Sequence, residues 1–188
     1  MTKLIVALGN PGSQYANTRH NVAWMVLDKL SGASTLSWRE KFKGLFCQRE
    51  GDILLKPQTY MNLSGESVVP AAQFYKVAPK DILVIHDELD LPYGVVAFKR
   101  GGGSAGHNGL KSISALLGTP DYARLRVGIA RPPIGSVSNW VLSDFTADEQ
   151  IQLSDYLDAT ARAVELYQAE GYDKAASRFS RKSLIETP

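Results

Sequence analysis

The chain has one cysteine and three histidines in 188 residues, and no apolar run long enough to cross a bilayer. Each scarcity excludes something. With Cys47 alone, no internal disulfide can form, and its neighbours Gly44-Leu45-Phe46 mark it as a buried structural thiol suited to a reducing compartment. The histidines and the cysteine show no His-Glu-x-x-His or Cys-x-x-Cys spacing, so no metal site is expected. The first apolar run, Leu4 to Leu8, is stopped by Gly9-Asn10-Pro11-Gly12 and is too short for a signal-peptide core or a membrane span. A soluble, cytoplasmic protein is expected. There is no internal repeat and no low-complexity tract, and a chain of this length buries roughly 70% of its unfolded surface. One domain over residues 1–188 is therefore expected.

Net charge is also small, at +2, but it is unevenly spread. Residues 96–131 hold Lys99, Arg100, Lys111, Arg124, Arg126 and Arg131 against Asp121 alone, whereas residues 132–188 are acidic overall. Clustered cations beside the glycine-rich turn Gly101–Gly106 suggest an anionic partner such as a polynucleotide backbone.

Strands and helices alternate. Lys3–Leu8, Gly44–Arg49, Asp52–Lys56, Asp81–His86, Val95–Lys99 and Arg124–Ala130 read as six strands from their short apolar or alternating runs between turn residues. Val22–Leu30, Ser64–Val77 with Pro70 in its first turns, and Gly106–Leu117 read as helices. A long helix opens at the capping-box pattern Thr146-Ala147-Asp148-Glu149 and stops at Gly171. The fold class expected is α/β: one mixed, twisted sheet flanked by helices.

What stands out is that each histidine is followed by an amide or a carboxylate: His20-Asn21, His86-Asp87 and His107-Asn108. Histidine alone titrates near neutrality unperturbed, so water-activating catalysis is the first expectation. His20, opening a helix after a Gly/Asn/Pro turn, is the candidate base. Asp87, at the carboxyl end of a strand where α/β sheets gather ligands, is its candidate orienting carboxylate. His86 points opposite to Asp87 along the strand and is read as structural, and at the third pair the weight goes to Asn108 over His107. The turn Gly101–Gly106 admits two further readings. As a nucleotide fingerprint it lacks the acidic residue on a second strand; as a nucleophile elbow around Ser104 it would need an acid and then a histidine later in the chain, and the only later histidine is His107, three residues on. The reading kept is that its glycines expose the first amides of the next helix to an anion, with Lys99 and Arg126 adding charge.

Gly9-Asn10-Pro11-Gly12, Tyr15, Thr18-Arg19-His20-Asn21, Tyr60-Met61-Asn62-Leu63-Ser64-Gly65, His86-Asp87-Glu88-Leu89-Asp90 and Gly106-His107-Asn108-Gly109-Leu110-Lys111 together resemble the bacterial peptidyl-tRNA hydrolase family, in order and over nearly the whole chain. The resemblance implies a monomeric, cofactor-free esterase that cleaves peptide from the 3′ ribose of peptidyl-tRNA. It implies His20 as base, Asp87 as its orienting group and Asn10 as the sensor of the blocked amino group. Tyr15, Tyr60, Asn62 and Asn108 would line the groove for the peptide and the 3′ end, and Lys99 with Arg126 would hold the tRNA 5′ phosphate. Two residues depart from the pattern: Ala23 where the family usually has glycine, and Ala97 where some members have lysine. The alternatives are a non-catalytic RNA-binding module of the same fold and a serine esterase using Ser104.

Overall fold

In the computed structural model, which describes residues 1–186, eight strands form one mixed sheet in the order β2-β3-β4-β1-β5-β7-β6-β8. The strands are β1 Leu4–Ala7, β2 Arg39–Lys41, β3 Gly44–Arg49, β4 Asp52–Pro57, β5 Ile82–Glu88, β6 Val95–Arg100, β7 Ala123–Gly128 and β8 Ser180–Ser183. The central four, β4, β1, β5 and β7, run parallel, and the flanking pairs are antiparallel. The helices are α1 Val22–Leu27, α2 Gly65–Phe74, α3 Asn108–Leu117, α4 Val137–Val141, α5 Ala147–Glu170 and α6 Tyr172–Arg178. Among the described residues no helix is long and apolar enough to cross a membrane.

The period of two along the central strands decides which helices cover which face. Ile5 and Ala7 of β1, with Leu83 and Ile85 of β5, pack under α1, α5 and α6, where Val26, Tyr156, Val164 and Ala175 meet them. Leu4 and Val6, with Ile82 and Val84, pack under α2 and α3 against Val68, Ala71, Leu110 and Ile113. Both faces are buried, as parallel strands require. Carried to the end of β5, the same alternation sends His86 and Asp87 to opposite faces.

The expected α/β architecture holds, and all six expected strands form. The long helix begins as expected: Thr146 Oγ1 accepts from Glu149 N at 3.1 Å while Thr146 N donates to Glu149 Oε1 at 2.9 Å. Four elements are additional. β2 and β8 are edge strands whose residues are all exposed, so no hydrophobic alternation marks them, and α4 and α6 span only five and seven residues. Several ends also move. α1 stops at Leu27, and the chain reaches Leu30 by turns with three-residue bonds, Lys29 N to Val26 O and Leu30 N to Leu27 O. Helix α2 stops at Phe74, and Pro70 falls within its second turn on an exposed side, where the carbonyl it leaves unbonded can meet water. Strand β7 ends at Gly128, where a side chain would run into the carbonyl oxygens of Pro92 and Val95 and only glycine fits. Ile129 still donates to Glu88 O, at 2.9 Å.

Candidate active site

The carboxyl ends of β1 and β5 lie side by side, since Ala7 pairs with Ile85. The segments leaving them carry Asn10 and Asp87. Asn10 N donates to Asn21 Oδ1 and Asn21 Nδ2 donates to Asn10 O, both at 2.9 Å, so an amide side chain acts as a two-point clip. That clip holds the 3-10 turn Arg19–Asn21, and with it His20, over the end of the sheet. Asn10 Oδ1 in turn accepts from Met61 N at 2.8 Å, fastening the turn Met61–Leu63 to the same point.

Asp87, 3% exposed, lies between two imidazoles. His20 Nδ1 is 2.7 Å from Asp87 Oδ2, and His107 Nε2 is 2.8 Å from Asp87 Oδ1. The tautomer of His107 follows from its other nitrogen. His107 is the N-cap of α3, and its Nδ1 accepts from Gly109 N at 3.1 Å and Leu110 N at 3.4 Å, so the proton sits on Nε2 and is donated to Asp87. Asp87 Oδ2 likewise accepts a hydrogen bond from the Nδ1–H of His20, which in the neutral ring leaves the lone pair on His20 Nε2. Among the described residues that atom has no hydrogen-bond partner, and it is not fully buried. It belongs to a pocket of about 310 Å³ lined by His20, Asp87, His107, Asn108, Ser104 and the α4 residues Val137, Ser138 and Val141. Size does not locate the chemistry: a larger cleft of about 690 Å³ lies by the β2–β3 edge, and it contains neither a histidine nor a paired acid and base.

Charge and burial tune His20 and His86 apart. Burial of His20 opposes its protonation, but the charge of Asp87 and the hydrogen bond to it outweigh burial and raise its pKa above the ordinary 6.5. Burial likewise opposes ionisation of Asp87, yet His20 and His107 hold its carboxyl well below the usual range. His86 is pushed down to about 3 by burial and then by the charge of His107. Its Nδ1 bonds to Asp87 O at 2.9 Å, so it is a neutral structural group as expected. Cys47 fits its expectation too, being 3% exposed with its thiol pushed up to about 11 by burial.

Two expectations are corrected. The first amides of α3 do not await an anion, because the ring of His107 occupies those of Gly109 and Leu110. The glycine turn instead turns carbonyls inward onto Arg124, whose Nη2 donates to Gly102 O at 2.8 Å; this arginine, 1% exposed, is not part of any cationic surface. Ser104 gains no catalytic base either, since both nitrogens of His107 are engaged elsewhere. His107 is the residue the sequence reading missed. A polar side chain directly before an amphipathic helix was the available signal.

The remaining candidates divide. Asn108 lines the pocket with His20 and Asp87; Asn10 does not, and is bonded instead to Asn21, the neighbour of His20. Tyr15, Tyr60, Asn62, Lys99 and Arg126 lie outside it. Tyr60 is 57% exposed, and Asn62 is exposed on the Met61–Leu63 turn. Lys99 and Arg126 share a sheet face: Lys99 is opposite Arg124 and Arg126 is opposite Ala97. Ala97 is 3% exposed, packed with Leu91 and Val95, while Ala23 is fully buried under the sheet. His20, Asp87 and His107 bring their donor atoms within 4.8 Å of one another, the spacing of a possible metal trio. Here the facing nitrogens of both rings carry protons toward the carboxylate, so the trio is a hydrogen-bonded array.

Known proteins place the chain. Residues 4–187 match the family model described as Peptidyl-tRNA hydrolase. A peptidyl-tRNA hydrolase of Desulfitobacterium hafniense (strain Y51) is 49% identical over 95% of this chain and 100% of its own length. One from Citrifermentans bemidjiense is 49% identical over 96% and 98%. The crystal structure of peptidyl-tRNA hydrolase from Acinetobacter baumannii superposes with a TM-score of 0.86 at 39% identity, covering 98% of this chain and 97% of that one. With sequence match and fold agreeing along its length, the chain belongs to the peptidyl-tRNA hydrolase family.

Proposed function

We propose that this chain hydrolyses the ester joining the carboxyl end of a peptide to the 3′ ribose of tRNA, with His20 as general base. One observation carries the assignment: the buried Asp87 carboxylate accepts a hydrogen bond from His20 Nδ1, and His20 lines the pocket with its Nε2 unengaged. In this reading Nε2 removes a proton from water as the oxygen attacks the ester carbonyl. The imidazolium so formed is stabilised by Asp87 and returns the proton to the ribose 3′ oxygen as the C–O bond breaks. The products are a free peptide carboxylate and tRNA, and no cofactor enters the balance. Such proton transfer supplies typically about 10²–10⁴-fold of rate.

Asn10 and Asn108 are assigned to the substrate beside the base, Asn10 to the blocked amino group. Tyr15, Tyr60 and Asn62 are assigned to the peptide and the 3′ end. Lys99 and Arg126 are assigned to the 5′ phosphate. Their support is a shared face on adjacent strands, at diagonal positions roughly 7–8 Å apart, where two cations can straddle one phosphate. A monomer in the cytoplasm, where charged tRNA is used, completes the reading.

The experiment is hydrolysis of an N-blocked aminoacyl-tRNA by the wild-type chain and by His20→Ala. The wild type should release the blocked amino acid, and His20→Ala should lose about 10²-fold or more in kcat while binding tRNA as before. Wild-type turnover by His20→Ala would remove His20 as the base.

A further inference from the structure

The residue before the proposed base is buried more deeply than the base itself: the Arg19 side chain is 1% exposed and that of His20 14%. Arginine is seldom buried unless its donors are answered, and here the answers come from one stretch of chain. Arg19 Nη2 donates to Glu149 Oε1 at 2.7 Å, and Nη1 donates to Trp140 O at 3.3 Å and Ser143 O at 3.4 Å. The guanidinium carbon lies 3.5 Å from the ring centroid of Trp140 and 5.6 Å from that of Phe145. Backbone bonds run alongside, from Arg19 N to Ser143 O at 3.0 Å and through the bridge between Thr18 and Asp144. Nε is buried with no partner. An apolar side chain would fill this space without the penalty of an orphaned donor, so filling space does not explain an arginine here.

The stretch it holds forms one side of the pocket. Val137, Ser138 and Val141 of α4 line the cavity beside His20 and Asp87. Yet residues 133–139 are all exposed, and a helix of five residues cannot sustain itself. Trp140 carries the attachment twice: Nε1 donates to Ala130 O at 2.8 Å, and its ring face takes the guanidinium of Arg19. We infer that Arg19 is a positioning residue, which by stacking on Trp140 fixes the α4 wall of the pocket relative to His20, the next residue in the chain. It thereby sets where the acyl group lies against the base. This inference rests on the reading of His20 as that base.

The test compares Trp140→Leu with Trp140→Phe in the full chain. Both lose the bond to Ala130 O, but only phenylalanine keeps a ring for the guanidinium. With an N-blocked aminoacyl-tRNA, Trp140→Leu should lower kcat/KM by about ten- to a hundredfold, the scale of a small misplacement of reacting groups. Trp140→Phe should recover to within about threefold of wild type, and Arg19→Lys, which keeps the charge but loses the plane, should fall on the leucine side. Affinity for deacylated tRNA and the pH midpoint set by His20 should not change, and amide exchange over residues 131–142 should quicken in Trp140→Leu and Arg19→Lys but not in Trp140→Phe. Unchanged kcat/KM in Trp140→Leu, or a loss that phenylalanine does not recover, overturns the inference. A His20→Ala enzyme that still turns over sinks the base assignment; an inactive His20→Ala beside a fully active Trp140→Leu sinks only the role of Arg19.

Discussion

Asp87 gives each of its oxygens to a different histidine, and the two histidines are set apart by what holds their far nitrogens. His107 is committed on both sides, to Asp87 and to the helix amides, whereas His20 is committed on one. Only His20 can therefore exchange a proton with the pocket. Because its pKa is raised, the free base is lost as pH falls through a value above 6.5, and kcat/KM should decline on the acid side from there. Asp87→Asn removes the charge that raises this pKa and one of the two accepting oxygens, and leaves burial, which lowers it. Its pH–rate midpoint should move to lower pH while kcat drops by about 10²-fold or more. A midpoint that stays in place, read from kcat/KM across pH 5 to 9, would refute the pairing. Much at this scale was legible in the sequence. His20 and Asp87 follow from one titratable residue type placed at a turn and one carboxylate at a strand end. His107 was not, because a single letter cannot show that a ring both caps a helix and bonds a carboxylate 20 positions earlier.

At the scale of elements, α3 is joined to the site by its own cap. It also lies close against α2: Gly65 N donates to Ser112 Oγ at 2.8 Å, and a side chain at Gly65 would strike the Ser112 carbonyl oxygen. The helix therefore has little freedom to shift when its first turn is altered. His107→Asn and His107→Ala separate the two duties of the cap. Asparagine is among the best N-caps and alanine among the poorest, a difference typically of ~1 kcal/mol, but neither reaches Asp87 as the imidazole does. His107→Asn should unfold near the wild-type temperature and still lose activity, while His107→Ala should lose both. Thermal unfolding beside turnover reads the split, and equal activity in His107→Asn and wild type would show that the cap alone matters. Elements that bury a face were legible, because alternation or a three-to-four spacing writes itself into the residues, as in β1, β5 and α5. β2 and β8 bury nothing and carry no such record.

Over the whole molecule, the strand order could not be read locally, since each parallel pair joins residues dozens of positions apart and the backbone pairing is common to every residue type. The consequence of that order is a sheet whose centre carries three coupled ionisable groups, and this makes stability depend on pH. His86 has a folded value of about 3 against an ordinary 6.5. Between those values the unfolded chain takes up a proton that the folded one refuses, so stability falls as pH falls through that window, by up to roughly 1.4 kcal/mol per pH unit. Asp87 acts in the same direction further down: its depressed value contributes stability above the ordinary 3.8, lost as pH falls below it. His20 acts in the opposite direction. Its raised value contributes stability fully present below 6.5 and lost as pH rises through the folded value. The two histidines thus act in adjoining ranges, and the stability maximum should lie near neutrality. His86→Asn keeps a donor for the carbonyl of Asp87 and removes the titration, so urea midpoints measured from pH 4 to pH 6.5 should flatten relative to wild type, whatever constant offset the substitution brings. An equally steep slope in the variant would assign acid sensitivity elsewhere and leave His86 as packing alone.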